Sequence, residues 1–118
     1  MTLRSFDKCL CIALLLFALI HCYFTLAYTH KDGRAVNGAL FLGFGVAMVL
    51  TAMMNGVRIA RAGDAMLRKV SLVGNVLMLV AMLAMLHAIG SGIAKAPQAV
   101  VGAVLVGLEL VFSAVPRK

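Results

Sequence analysis

Charged residues are scarce in this chain of 118 residues: they make up 13% of the sequence, and only four are acidic. Soluble domains carry about 25% charged residues, so this chain has too little polar surface to cover a core in water. Hydrophobic residues instead make up 64% of the chain, and the mean hydropathy is +1.06. The composition excludes a soluble domain and predicts one transmembrane domain over residues 1–118.

Sequence signatures of soluble enzymes are also absent. The chain contains no phosphate-binding glycine loop with its lysine, no His-Glu-x-x-His and no Gly-x-Ser-x-Gly. The whole chain has only three histidines, and the apolar runs contain only one carboxylate, so few groups are available for acid–base chemistry. We therefore expect no enzymatic activity and no cofactor.

Four apolar runs account for most of the chain, at residues 9–28, 36–57, 70–90 and 97–115. Each run has roughly the 20 residues that a helix needs to cross a hydrocarbon core of about 30 Å. Pro97 begins the last run, where a missing N–H costs nothing, and Pro116 ends it. Asp32-Gly33 supplies a turn between the first and second runs, and Gly90 ends the third run. The pattern predicts an all-α, integral membrane four-helix bundle, in which short connections enforce up-down-up-down order.

Basic residues are distributed unevenly between the two sides of this predicted bundle. Because loops rich in Lys and Arg stay on the cytoplasmic side, both termini and the loop over residues 58–69 are predicted to be cytoplasmic. We therefore expect a multi-pass protein of the cytoplasmic (inner) membrane whose basic loops meet anionic headgroups, and no nucleic-acid partner. Eight basic residues lie on that side, namely Arg4, Lys8, Arg58, Arg61, Arg68, Lys69, Arg117 and Lys118, against Lys31, Arg34 and Lys95 on the other.

Small residues recur at helical spacing within the second and fourth runs. Such residues let helix backbones approach closely, which partly replaces the hydrophobic drive that lipid does not provide. The pattern predicts a groove for a neighbouring helix of the same chain, or a contact surface for a second copy or another membrane protein. The residues are Ala39, Gly43 and Ala47, continued by Thr51 and Asn55, in the second run, and Ala99, Ala103 and Gly107 in the fourth.

Glu109 is the only carboxylate inside any of the four runs. A charged carboxylate at that depth costs several kcal/mol, so it should face the bundle interior, with Gly102, Val106 and Ser113 on the same helix face. Other polar residues lie about as many residues from the predicted cytoplasmic ends of their own runs, so they reach a similar depth in the membrane. We therefore predict an intramembrane polar cluster of Glu109, Asn75, Thr51 and Asn55, with Arg58 as a counter-ion.

Two functions are compatible with such a cluster. If Glu109 joins helices or meets a basic residue of a partner, the protein acts by intramembrane contact, as an accessory subunit or an immunity-type binding protein of a membrane complex. If Glu109 exchanges protons or binds cations, the protein is a small oligomeric transporter or channel.

A second polar group lies toward the opposite end of the bundle. His21 and Cys22 in the first run and His87 in the third are weak candidates for a soft-metal site, because interfacial or interhelical hydrogen bonding explains the histidines better. Met78, Met82 and Met85 form a stripe that is typical of helix packing. No metal is therefore expected.

Overall fold

The computed structural model describes residues 2–32, 35–89 and 97–115 and is helical over nearly all of them. The four helices are α1 (Leu3–Asp32), α2 (Ala35–Ala60), α3 (Ala65–Ile89) and α4 (Pro97–Ala114). All four are long and apolar enough to cross a membrane. The prediction of an all-helical membrane protein is confirmed, and the chain is a small multi-pass membrane protein.

Local capping explains why α1 and α3 begin earlier than the apolar runs. Thr2 accepts a hydrogen bond from the backbone N–H of Ser5 at 3.2 Å, next to the first turn of α1. Asp64 Oδ1 accepts hydrogen bonds from the backbone N–H groups of Met66 and Leu67 at 2.9 and 3.0 Å. These side chains satisfy N–H groups that a helix start leaves unpaired, so the helices extend into the polar flanks of the runs.

Several features predicted from the sequence lie outside the described residues. Among them are the turns at Gly33 and Gly90. The others are Arg34, Lys95, Pro116, Arg117 and Lys118.

Each helix packs against its neighbours in the chain, and α4 returns to pack against α1. Asp7, near the start of α1, bonds to Arg58, near the end of α2. Asn75, in the first half of α3, bonds to Ser113 at the end of α4. These contacts show that α1 runs opposite to α2 and that α3 runs opposite to α4, in a bundle of 50 × 26 × 25 Å.

The interior and the outer surface of the bundle are both largely apolar. Large apolar side chains are exposed on every helix, for example Leu16, Leu50, Leu77 and Val111. A helix that is apolar on all sides is typical of a membrane span, because lipid solvates the outer face. The buried apolar core consists of Leu14, Ala18, Met48, Ala52, Met78, Met82 and Val106.

The predicted small-residue ridge of α2 does not run along one buried face. Ala39, Gly43 and Ala47 are exposed, whereas Thr51 and Asn55 are buried. Four residues turn a helix about 40° past one full turn, so the two ends of this ridge point about 160° apart. The expected groove for a helix of the same chain is therefore wrong at Ala39, Gly43 and Ala47.

Other glycines make the close helix contacts of the bundle. A Cβ atom at Gly45 would lie 2.6 Å from Cys22 Sγ, and one at Gly102 would lie 2.6 Å from the Met82 methyl group. On α4, Ala99 is buried and Ala103 packs partly against the core. Gly107 differs from the expectation, because a Cβ atom there would meet nothing within 4 Å.

Candidate functional site: a buried polar layer

Buried polar side chains lie together in one half of the bundle, where α1 begins, α2 ends, α3 begins and α4 ends. We call this group the polar layer. It contains a charged triad, made of Asp7, Arg58 and Glu109, and an amide network, made of Asn55, Ser71, Asn75 and Ser113. Every helix contributes at least one member, so the layer joins all four helices.

The charged triad centres on the guanidinium group of Arg58. Arg58 Nη2 donates to Asp7 Oδ1 at 2.9 Å, and Nη1 donates to Asp7 Oδ2 at 3.1 Å. The same Nη2 donates to Glu109 Oε2 at 3.0 Å. All three residues are buried, with exposed fractions of 0% for each acid and 5% for the arginine. The bidentate bond between Arg58 and Asp7 is both strong and specific in geometry.

Hydrogen bonding within the triad is unequal. Both carboxylate oxygens of Asp7 are bound by Arg58, whereas Glu109 has one bonded oxygen. Glu109 Oε1 is buried without a hydrogen-bond partner, and so is Arg58 Nε. A buried polar atom without a partner carries a desolvation cost, so the environment of Glu109 is the least satisfied part of the layer.

The face of Glu109 on α4 is the one expected from the sequence. Gly102, Val106 and Ser113 are buried on α4 together with Glu109. The Phe112 carbonyl also accepts a hydrogen bond from Arg58 Nη1 at 3.4 Å. Arg58 thus holds both the side chain and the backbone of the last turns of α4.

Asp7 is the one member of the charged triad that the sequence analysis does not predict. The hydropathy pattern begins the first run at Cys9, so Asp7 falls in the polar flank. Helical periodicity could have identified Asp7, because it shares one helix face with the apolar residues that follow it. These residues are Leu10, Cys11, Leu14 and Ala18. All five are buried, which makes Asp7 the first residue of the inward face of α1.

The amide network joins α2, α3 and α4 beside the triad. Asn55 Nδ2 donates to Asn75 Oδ1 at 3.0 Å, and Asn75 Nδ2 donates to Asn55 Oδ1 at 2.9 Å. The Ser71 hydroxyl also donates to Asn55 Oδ1. Asn75 further reaches the Ser113 hydroxyl at 3.4 Å. Reciprocal bonds of this kind satisfy two buried amides without a charge, which favours assembly of the helices.

The predicted polar cluster therefore divides into two parts. The structure brings Glu109 to Arg58 and Asn55 to Asn75, but neither asparagine bonds to Glu109. Thr51 stays separate, because its hydroxyl donates to the Ala47 carbonyl of its own helix at 2.9 Å.

Exposed basic residues surround the same end of the bundle. Arg4, Lys8, Arg61 and Lys69 are exposed there, whereas Arg58 is buried in the triad and does not face headgroups.

The weak metal candidates do not assemble into a site. His21 and Cys22 both lie against Gly45 of α2, while His87 is exposed on α3. Across residues 2–32, 35–89 and 97–115, no group of three or more His, Cys, Asp or Glu side chains could hold a metal ion. His21 Nε2 is buried without a hydrogen-bond partner.

Comparison with known proteins gives no family: no family model matches the chain, and no curated protein or solved structure matches it significantly. Functional conclusions therefore rest on the geometry of the chain itself.

Proposed function

We propose that this protein acts by intramembrane helix–helix contact, as an accessory subunit or an immunity-type binding protein of a membrane complex. The observation that carries this proposal is the pairing of Glu109 with Arg58 of the same chain at 3.0 Å. Because Arg58 of the same chain already donates a hydrogen bond to this carboxyl group, Glu109 does not need a basic residue from a partner. The polar layer then holds the bundle together, and the outer surface remains for binding.

The exposed part of α2 is the surface that we propose for this contact. Ala39, Gly43 and Ala47 are exposed at four-residue spacing, and a Cβ atom at Gly43 would meet nothing within 4 Å. Leu40 and Phe41 beside them are exposed as well. Small residues flanked by large apolar ones form a shallow groove into which a second helix can pack. We propose a transmembrane helix of another membrane protein as the occupant.

Localisation is part of the same proposal. The excess of basic residues at the end of the bundle that holds the polar layer supports a cytoplasmic position for that end and for both termini. The protein would then be a multi-pass protein of the cytoplasmic (inner) membrane, with anionic headgroups around its basic loops.

Purification of the tagged full chain in mild detergent tests the proposed function. A larger membrane protein present in stoichiometric amount is the expected result. A chain that purifies alone, as a monomer, would contradict it. A homodimer or higher oligomer without another protein would instead favour the second candidate.

The second candidate is a small oligomeric transporter or channel, coupled to protons or cations through Glu109. The specific observation that favours it is the buried and unpartnered Oε1 atom of Glu109. Glu109→Gln separates the two candidates, because glutamine keeps the shape and the hydrogen-bonding capacity but cannot titrate. Loss of cellular function in a Gln variant that folds and assembles normally would favour transport.

A further inference from the structure

The charged triad contains two acids that share one guanidinium group. Asp7 Oδ1 and Glu109 Oε2 both bind the same nitrogen atom, Arg58 Nη2, at 2.9 and 3.0 Å. A guanidinium group remains protonated in proteins and supplies one positive charge. Since Asp7 already uses both Nη atoms, an ionised Glu109 is only partly compensated, in a region where lipid surrounds the bundle.

The second oxygen of Glu109 strengthens this conclusion. Oε1 is buried and lacks a hydrogen-bond partner, and the whole residue has an exposed fraction of 0%. An ionised carboxylate spreads its charge over both oxygens and needs partners on each. A proton on Glu109 removes the charge and still leaves Oε2 to accept the bond from Arg58. The new O–H group then needs an acceptor, and the Asp7 carboxylate, which lies within hydrogen-bonding reach of Glu109, provides one.

We propose that Glu109 is a proton-binding site, loaded by one proton on its carboxylate while Asp7 keeps its two hydrogen bonds from Arg58. The step forms one O–H bond from a carboxylate and a proton supplied by water at the end of the bundle, and it involves no redox change. Loading removes one negative charge from the triad. This inference goes beyond the contact function, because it holds whether or not the protein binds a partner.

The groups that face Glu109 support this arrangement. Asp7 from α1 and Arg58 from α2 are the charged groups that act on it. The Cys11 thiol lies on the same face of α1 and donates to the Ala52 carbonyl at 3.2 Å. Among the described residues, α3 contributes neutral groups to this region, namely Ser71 and Asn75.

Isotope labelling can test the site without any substitution, because Glu109 is the only glutamate in the chain. The full chain would be made by cell-free synthesis with glutamate carrying ¹³C at the side-chain carboxyl, and placed in lipid nanodiscs. Infrared spectroscopy at neutral pH should show the C=O band of a protonated carboxylic acid, which moves on ¹³C labelling and in D₂O. Raising the pH should convert that band into carboxylate absorption.

Matched variants complete the experiment. Glu109→Gln should remove the band, and Asp7→Asn should also remove it, because Glu109 then pairs with Arg58 alone and ionises. Asp64→Asn is the control, since Asp64 is exposed and asparagine keeps its capping role, and it should retain the band.

Three results would overturn the proposal. The first is a wild-type spectrum at neutral pH without a protonated band that responds to ¹³C-glutamate. The second is a band that persists in Glu109→Gln, which places the proton elsewhere. The third is stabilisation by Na⁺ with no protonated band, which identifies a metal cation as the ligand. None of these results affects the test by co-purification, so the two proposals can fail separately.

Discussion

Asp7 of α1 and Arg58 of α2 lie 51 positions apart in the chain and form a bidentate ion pair, with N–O distances of 2.9 and 3.1 Å. This pair fixes the start of the first helix against the end of the second. Glu109 then attaches α4 to the same guanidinium group. The relative depth of three helices is therefore set by one arginine side chain.

Removing that arginine should destabilise the bundle strongly. Arg58→Met leaves Asp7 buried without its cation and Glu109 without its hydrogen-bond donor, and breaking a buried pair in this way costs about 3–5 kcal/mol. Thermal unfolding in detergent measures the loss. Arg61→Met is the matched control, because Arg61 is exposed three residues later, and its melting temperature should remain close to that of the wild type. Equal melting temperatures for the two variants would contradict the role of the triad.

Neutralising the two acids should have strongly non-additive effects. Asp7→Asn and Glu109→Gln each leave Arg58 with one carboxylate, so each single variant should lose little stability. The double variant leaves a buried cation without any anion and should unfold far more easily than the two single effects imply. Contacting residues of this kind show coupling of about 0.5–3 kcal/mol in double-mutant cycles. Simple additivity would show that Arg58 does not depend on both acids.

A large side chain should lower the melting temperature when it replaces Gly45 but not when it replaces Gly43. Gly45→Leu should destabilise the fold, because even a Cβ atom there lies 2.6 Å from Cys22 Sγ and 3.1 Å from His21 Cδ2. Overpacking of this kind costs about 1–3 kcal/mol or more. Gly43→Leu should leave the melting temperature unchanged, since its Cβ atom meets nothing within 4 Å. A larger loss in Gly43→Leu than in Gly45→Leu would reverse the assigned faces of α2.

Orientation in the membrane can be measured by cysteine labelling of intact cells. Gly63→Cys, in the connection between α2 and α3, should resist a reagent that cannot cross the membrane. Ser91→Cys, on the other side by the excess of basic residues, should react. Reaction of Gly63→Cys from outside would invert the proposed orientation.

The sequence predicts which residues of the polar layer share a face of one helix and which residues lie at the same depth in the membrane. Gly102, Val106 and Ser113 share the face of Glu109 because the spacing within α4 is local. Depth alone brings Arg58 to the level of Glu109, but it cannot tell which polar groups bond to which. Rotation of each helix decides that question, and it separates the asparagines from the triad.

Two errors have specific physical causes. Asp7 is missed because a hydropathy pattern ends at the polar flank, although the inward face of α1 continues through it. The groove expected for a helix of the same chain is not found at Ala39, Gly43 and Ala47, because a strict four-residue repeat drifts around the helix, and the alternative of a contact surface for another protein stays a prediction.

Recovery of a partner by the wild type and by Gly43→Leu is the most direct measurement of how this protein works. Both proteins should fold with the same melting temperature, and in mild detergent only the wild type should retain a stoichiometric membrane partner. Gly107→Leu on α4 is the control, because a Cβ atom at Gly107 also meets nothing within 4 Å, and it should retain the partner. A partner that stays bound to Gly43→Leu, or a wild type that purifies alone, would contradict docking on the exposed face of α2.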